Sequence, residues 1–268
     1  AVRVRKALVD LDVVSALVPL LSSAATEVVV SASGALFNAA LGLAGAERIR
    51  SLDGALPLLL GKCGIAHADA RVRANTAGIL QNVAAHCDAA REQLAVAGAL
   101  SALLDLATRE AAETGDVNVV ARCVSAINNL ALLPANARAL CAPGAGQEAQ
   151  DAAQLADAQI GRTARSGLGS LLELLGSVER EDVLEDASLA VVQILRVEVD
   201  ACAELVTLEG LPVVKSLMAH MDEELQLCAK SDVRTHAAAL ELALELPLVE
   251  RLGSAAEEEV RHAIMAPL

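Results

Sequence analysis

The chain has 268 residues, 54% of them hydrophobic, with one Phe and no Trp or Tyr. Its formal charge is −14, and no basic run or aromatic–basic interleaving offsets it, which excludes a nucleic-acid partner held through Lys and Arg on phosphates. The acid excess serves solubility and, in its sharper consequence, favours a basic partner.

Ala and Leu dominate and β-branched runs are short, so intrinsic propensity favours helix. Residues 4–11 read as the closing helix of a preceding unit. Residues 12–21 open a first unit, whose long helix carries Ala32-Ser33-Gly34-Ala35-Leu36-Phe37-Asn38. Residues 28–46 hold no charge, yet their small, polar-interrupted make-up and the flanking Glu27 and Glu47 predict a buried helix and its turn, not a membrane span. Gly54-Ala55-Leu56-Pro57 opens a medium helix, because Pro fits a first turn where its missing N–H would be unbonded anyway. A polar loop at 66–69 leads to a longer helix at 71–85, with Val72, Ile79, Leu80 and Val83 apolar, and then to a short helix at 89–96.

Gly98-Ala99-Leu100 repeats the opening, Cys123 to Asn129 repeats the long helix, and a short helix follows at 134–140. Pro143-Gly144-Ala145-Gly146 then begins a stretch rich in Gln, Ala, Asp and Gly that ends near Ser166. It reads as an insertion projecting from one end of a unit, expected to be mobile. Its Gly-x-Gly lacks a following Gly-Lys-Ser/Thr, so it does not make a phosphate loop. A fourth unit resumes at Gly167, with a long helix over 181–196 and Gln193 at the Asn place. A fifth starts at Gly210, with Glu241 there, and 255–268 opens a sixth, with Glu257-Glu258-Glu259 as a helix start.

The recurrence is regular. Asn38, Asn82 and Asn129 stand 44 and 47 residues apart, and Gly54 and Gly98 each follow an Asn by 16 residues. A period of this length marks stacked units that bury their apolar faces only against each other. The predicted fold is all-α, a solenoid of three-helix units. The units fall at 12–53, 54–97, 98–145, 167–209 and 210–254, with an inserted loop at 146–166. Incomplete units at 1–11 and 255–268 suggest a fragment of a longer array.

Positions four apart share a helix face. Asn75, Gly78, Asn82 and His86 form one polar-to-small stripe, and Arg122, Ser125 and Asn129 repeat it. Mid-helix Gly34 and Gly78 mark close approach, most simply of a neighbouring helix. The six cysteines are scattered, without Cys-x-x-Cys spacing, and read as free, mostly buried residues of a reducing compartment. His86-Cys87 are sequence neighbours that point about 100° apart on a helix and make no ligand pair, so neither metal nor cofactor is expected. No Ser-His-Asp or Cys-His set occurs, the carboxylates are read as solvated, and the chain is expected to be no enzyme.

This pattern resembles the armadillo repeat family over nearly the whole chain. Gly54-Ala55-Leu56-Pro57 and Gly98-Ala99-Leu100 match the family's Gly-Ala-(Ile/Leu)-Pro opening. Ala77-Gly78-Ile79-Leu80-Gln81-Asn82-Val83-Ala84 and Ala126-Ile127-Asn128-Asn129-Leu130-Ala131 match its third helix. The resemblance implies a right-handed superhelix whose third helices line a concave groove. There the Asn can hydrogen-bond an extended peptide, a role that carries to Asn38, Asn82 and Asn129. Arg122, His86 and Gln193 join them as groove candidates. The Trp that nuclear-import members place four residues before the Asn is replaced by Gly34, Gly78 and Ser125, so the aromatic cage for a Lys stem is missing. The expected function is a cytoplasmic protein-interaction scaffold for a protein or extended peptide, with nuclear or cytoskeletal association as a variant. The alternative is a structural component, or a chaperone-like assembly factor, of a large cytoskeletal or ciliary complex.

Overall fold

The computed structural model describes residues 12–64, 69–141 and 166–197. Among these, every regular element is helical. A short α1 (Val13–Leu17) runs into a 3-10 turn (Val18–Ser22) that contains Pro19. The elements then cycle through long, short and medium helices. The first cycle is α2 (Thr26–Ala40), α3 (Leu43–Ser51) and α4 (Ala55–Cys63). The second is α5 (Ala70–His86), α6 (Asp88–Val96) and α7 (Ala99–Arg109), and the third is α8 (Val117–Ala131), α9 (Pro134–Ala139) and α10 (Gly167–Ser177). The fourth long helix is α11 (Glu181–Val197). The fifth and sixth units expected from sequence, with Glu241, lie outside the described residues, as do residues 1–11 and 142–165.

Local chemistry sets the boundaries. Asp69 caps α5 by accepting the Arg71 N–H at 2.9 Å, and Asp116 caps α8 by accepting from Asn118 and Val119. Gly54 and Gly98 open α4 and α7 at φ 73° and 85°, a left-handed backbone that glycine adopts without a Cβ penalty. Each long helix packs on the next, α2 on α5, α5 on α8 and α8 on α11. The register is the same each time: two residues before the Asn position, Leu36, Leu80 and Ile127 are fully buried.

One core position departs from that register. Nine residues before the Asn, Val29 and Val120 are buried, but their counterpart is Arg73. Its guanidinium Nε donates to Glu110 at 2.5 Å, with side-chain exposures of 7% and 0%. Glu110 begins a π turn (Glu110–Thr114) that Gly115 closes by donating to the Glu110 carbonyl at 2.7 Å. The expectation that carboxylates lie on solvated faces is corrected here, because an arginine in the core register requires a buried counter-charge.

The insertion sits on a defined base. In the second unit the short-to-medium turn is bridged by Ala55 N–H donating to the Leu52 carbonyl at 3.1 Å. In the fourth, Leu168 N–H donates to the Leu140 carbonyl at the same distance, although 27 residues separate Leu140 from Leu168. Ser166 supplies the helix cap, accepting from Gly169 N–H at 3.1 Å. Because both ends meet at a turn already closed, the added chain leaves the stacking of α9 on α11 intact.

Candidate functional site

A cavity of about 430 Å³ crosses the face built by four successive long helices. Phe37 of α2 and Ala74, Asn75 and Gln81 of α5 line one side. Asn118, Ala121, Arg122 and Ser125 of α8 form its floor, and Arg180, Asp182 and Asp186 at the start of α11 form the far wall.

The residue immediately before each repeat Asn reaches across to the next long helix. Phe37 lies over Gly78, where a Cβ would meet the ring carbons at 2.6 and 2.8 Å. The expectation that Gly78 permits a neighbouring helix to approach is thus met by the chain's one aromatic ring. Arg122 covers that ring from the next unit, its guanidinium carbon 4.8 Å from the ring centre. The equivalent of Phe37 in the second unit is Gln81, which donates to Ser125 Oγ at 2.7 Å and accepts from Arg122 Nη1 at 3.3 Å. The third is Asn128, which donates to Asp186 Oδ1 at 2.8 Å. Phe37, Gln81 and Asn128 were not among the expected site residues. Their shared place, one residue before Asn38, Asn82 and Asn129, is the sequence signal that could have found them.

Of the expected residues, Arg122 lines the cavity. Asn38 is exposed and donates to the Gly34 carbonyl of its own helix at 3.0 Å. Asn129 donates to the Gln81 carbonyl at 3.2 Å and so ties α8 to α5. The Asn82 side-chain nitrogen is buried with no acceptor. His86 is exposed at the end of α5, and Gln193 is half-buried in α11. The cavity therefore gathers Arg122 with the residues just before Asn38 and Asn82 and with residues further upstream on α5, on α8 and at the start of α11, and not with the Asn residues themselves.

Elsewhere the chemistry is quiet. Cys63 and Cys123 are buried and Cys87 and Cys141 half-buried, and Cys63, Cys87 and Cys123 are free thiols. Burial pushes the Cys123 thiol well up, and a hydrogen bond with Cys63 adds to that, so it is no thiolate at neutral pH. Among the described residues no group of His, Cys, Asp and Glu could hold a metal ion, and no helix is long and apolar enough to cross a membrane.

The family model for the Armadillo/beta-catenin-like repeat matches residues 2–41. A designed armadillo repeat protein is 26% identical, with a TM-score of 0.67 over 90% of this chain and 85% of that one. This chain is an armadillo-like repeat protein. A second designed armadillo protein, solved in complex with the peptide (KR)4, is 25% identical with a TM-score of 0.64, again covering 90% of this chain and 85% of the other. A structure from work on the interaction between cadherin and beta-catenin is 16% identical, covers 91% of this chain and 42% of that one, and shares the fold at a TM-score of 0.60. No curated protein matches the armadillo-like chain significantly.

Proposed function

We propose that this armadillo-like protein is a non-enzymatic scaffold that holds an extended segment of a partner protein along the groove of its long helices. The observation that carries this is the cavity across four long helices, lined at equivalent repeat positions by amide and charged side chains. Amides suit an extended backbone, whose N–H and C=O groups need partners when they leave water. A designed relative of the same fold was solved with a peptide. The free thiols of Cys63, Cys87 and Cys123 suit the reducing, cytoplasmic setting that we assign to this role.

The test is a displayed library of random peptides, screened against the wild-type chain and against Ala121→Trp, which fills the half-buried cavity floor. Peptides that bind the wild type and are lost from a helical, equally heat-resistant Ala121→Trp protein support the groove. Ligands that bind both proteins alike refute it and favour the alternative of a structural component or assembly factor working through another face.

A further inference from the structure

The cavity presents opposite charges at one equivalent place in adjacent units. Seven residues before the Asn position stand Asn75, Arg122 and Asp186, counting Gln193 as the fourth Asn place, and all three line the cavity. Arg122 is half-buried; its hydrogen-bond partner is the neutral Gln81 amide, and it rests on the Phe37 ring. Asp186 is half-buried as well, and its partner is the neutral Asn128 amide. Between the described residues, neither makes an ion pair. Arg180 and Asp182, in the same wall, neutralise each other at 2.6 Å, and Arg180 also donates to Asn118 at 2.8 Å. A partly desolvated charge attracts an opposite charge more strongly than a fully solvated one does. Here each is oriented by an amide from the preceding unit, which aims the charge without cancelling it.

Building on the groove reading above, we propose that the cavity selects an extended segment with one acidic and one basic side chain on the same face, two residues apart. The acid pairs with Arg122 and the base with Asp186. Neighbouring helices pack about 8–10 Å apart. Same-face side chains of an extended chain recur at about 6.4–6.8 Å, and flexible charged side chains span the remainder. The guanidinium, fixed by Phe37 and Gln81, keeps N–H donors for a carboxylate fork. Local charge thus overrides the net charge of −14, which alone would favour an all-basic ligand.

The experiment uses synthetic blocked peptides, Ser-Ser-Glu-Ser-Lys-Ser-Ser and its Lys-Ser-Glu reversal, beside Lys-Ser-Lys, Glu-Ser-Glu and all-Ser versions, with binding read by fluorescence polarisation. The expected result is that one dipolar order binds at least about tenfold more tightly than every other peptide, a difference of about 1.4 kcal/mol. Arg122→Glu shifts the preference to Lys-Ser-Lys, and the double change Arg122→Glu with Asp186→Arg inverts the preferred dipolar order while helicity is kept. Tightest binding of Lys-Ser-Lys by the wild type, unchanged in Asp186→Arg, overturns this inference alone. No binding of any peptide overturns it together with the groove reading.

Discussion

Glu110→Met probes the one place among the described residues where the core register admits charge. Arg73 occupies a position that other units fill with Val29 and Val120, and Glu110, with no exposed side-chain surface, answers it at 2.5 Å. Removing one member of a buried pair costs about 3–5 kcal/mol, because the remaining charge keeps its desolvation penalty and loses its attraction. A domain is held by only about 5–15 kcal/mol, so the loss is a large share of the total. At roughly 2–4 °C per kcal/mol for a chain of this size class, the melting midpoint should fall by about 6–20 °C. Thermal unfolding followed by far-ultraviolet circular dichroism measures it. The double variant Arg73→Met with Glu110→Met should recover most of the loss, since an apolar pair of similar volume carries no desolvation penalty. A Glu110→Met midpoint within about 2 °C of wild type, well below the fall expected, refutes the reasoning. A double variant that melts as low as the single one refutes it equally.

Two further expectations concern glycines and acids. Gly167→Ala should destabilise by about 1–3 kcal/mol, because its Cβ would sit 2.7 Å from Leu140 Cδ2, 2.9 Å from the Leu140 carbonyl and 3.1 Å from Leu104 Cδ1. Gly176→Ala, with nothing near its Cβ, should instead stabilise by about 0.5–1 kcal/mol; urea titrations of the two variants should move in opposite directions. The Arg71 side chain holds the Asp69 carboxyl at about 2, and the Arg48 side chain does the same for Asp12. A carboxyl held below its ordinary value near about 3.9 adds stability above that value and loses it as pH falls toward about 2. Asp69→Asn and Asp12→Asn should therefore flatten the stability-versus-pH curve between about pH 4 and pH 2, and an unchanged slope there would count against both pairings.

The repeat was legible because a long helix with a fixed buried face must return its residues in phase. Asn38, Asn82 and Asn129 located three long helices, and Gly54 and Gly98 located the turns that require a left-handed backbone. The long helix 71–85 and its short successor 89–96 were found within a residue of their observed ends, at Ala70–His86 and Asp88–Val96. The site was legible only in part. Arg122 lay on the stripe read from four-residue spacing, whereas the groove role expected of Asn38, Asn82 and Asn129 came from the family resemblance. Asn38 donates to its own helix, and Asn129 to the neighbouring one. Glu110 escaped notice because a π turn, not a propensity, rotates it inward.

Periodicity along one chain determines which residues share a helix face, and composition determines that the faces are closed by Leu, Ile, Val and Ala. Those are properties of a single helix, and this sequence settles them by itself. Which side chain enters the space left by Gly78, which amide orients Arg122 or Asp186, and where a buried arginine finds its carboxylate depend on the register between helices far apart in sequence, 37 positions for Arg73 and Glu110 and 58 for Asn128 and Asp186. That register emerges only when the helices pack, because each of these contacts is made across an interface that no single repeat contains.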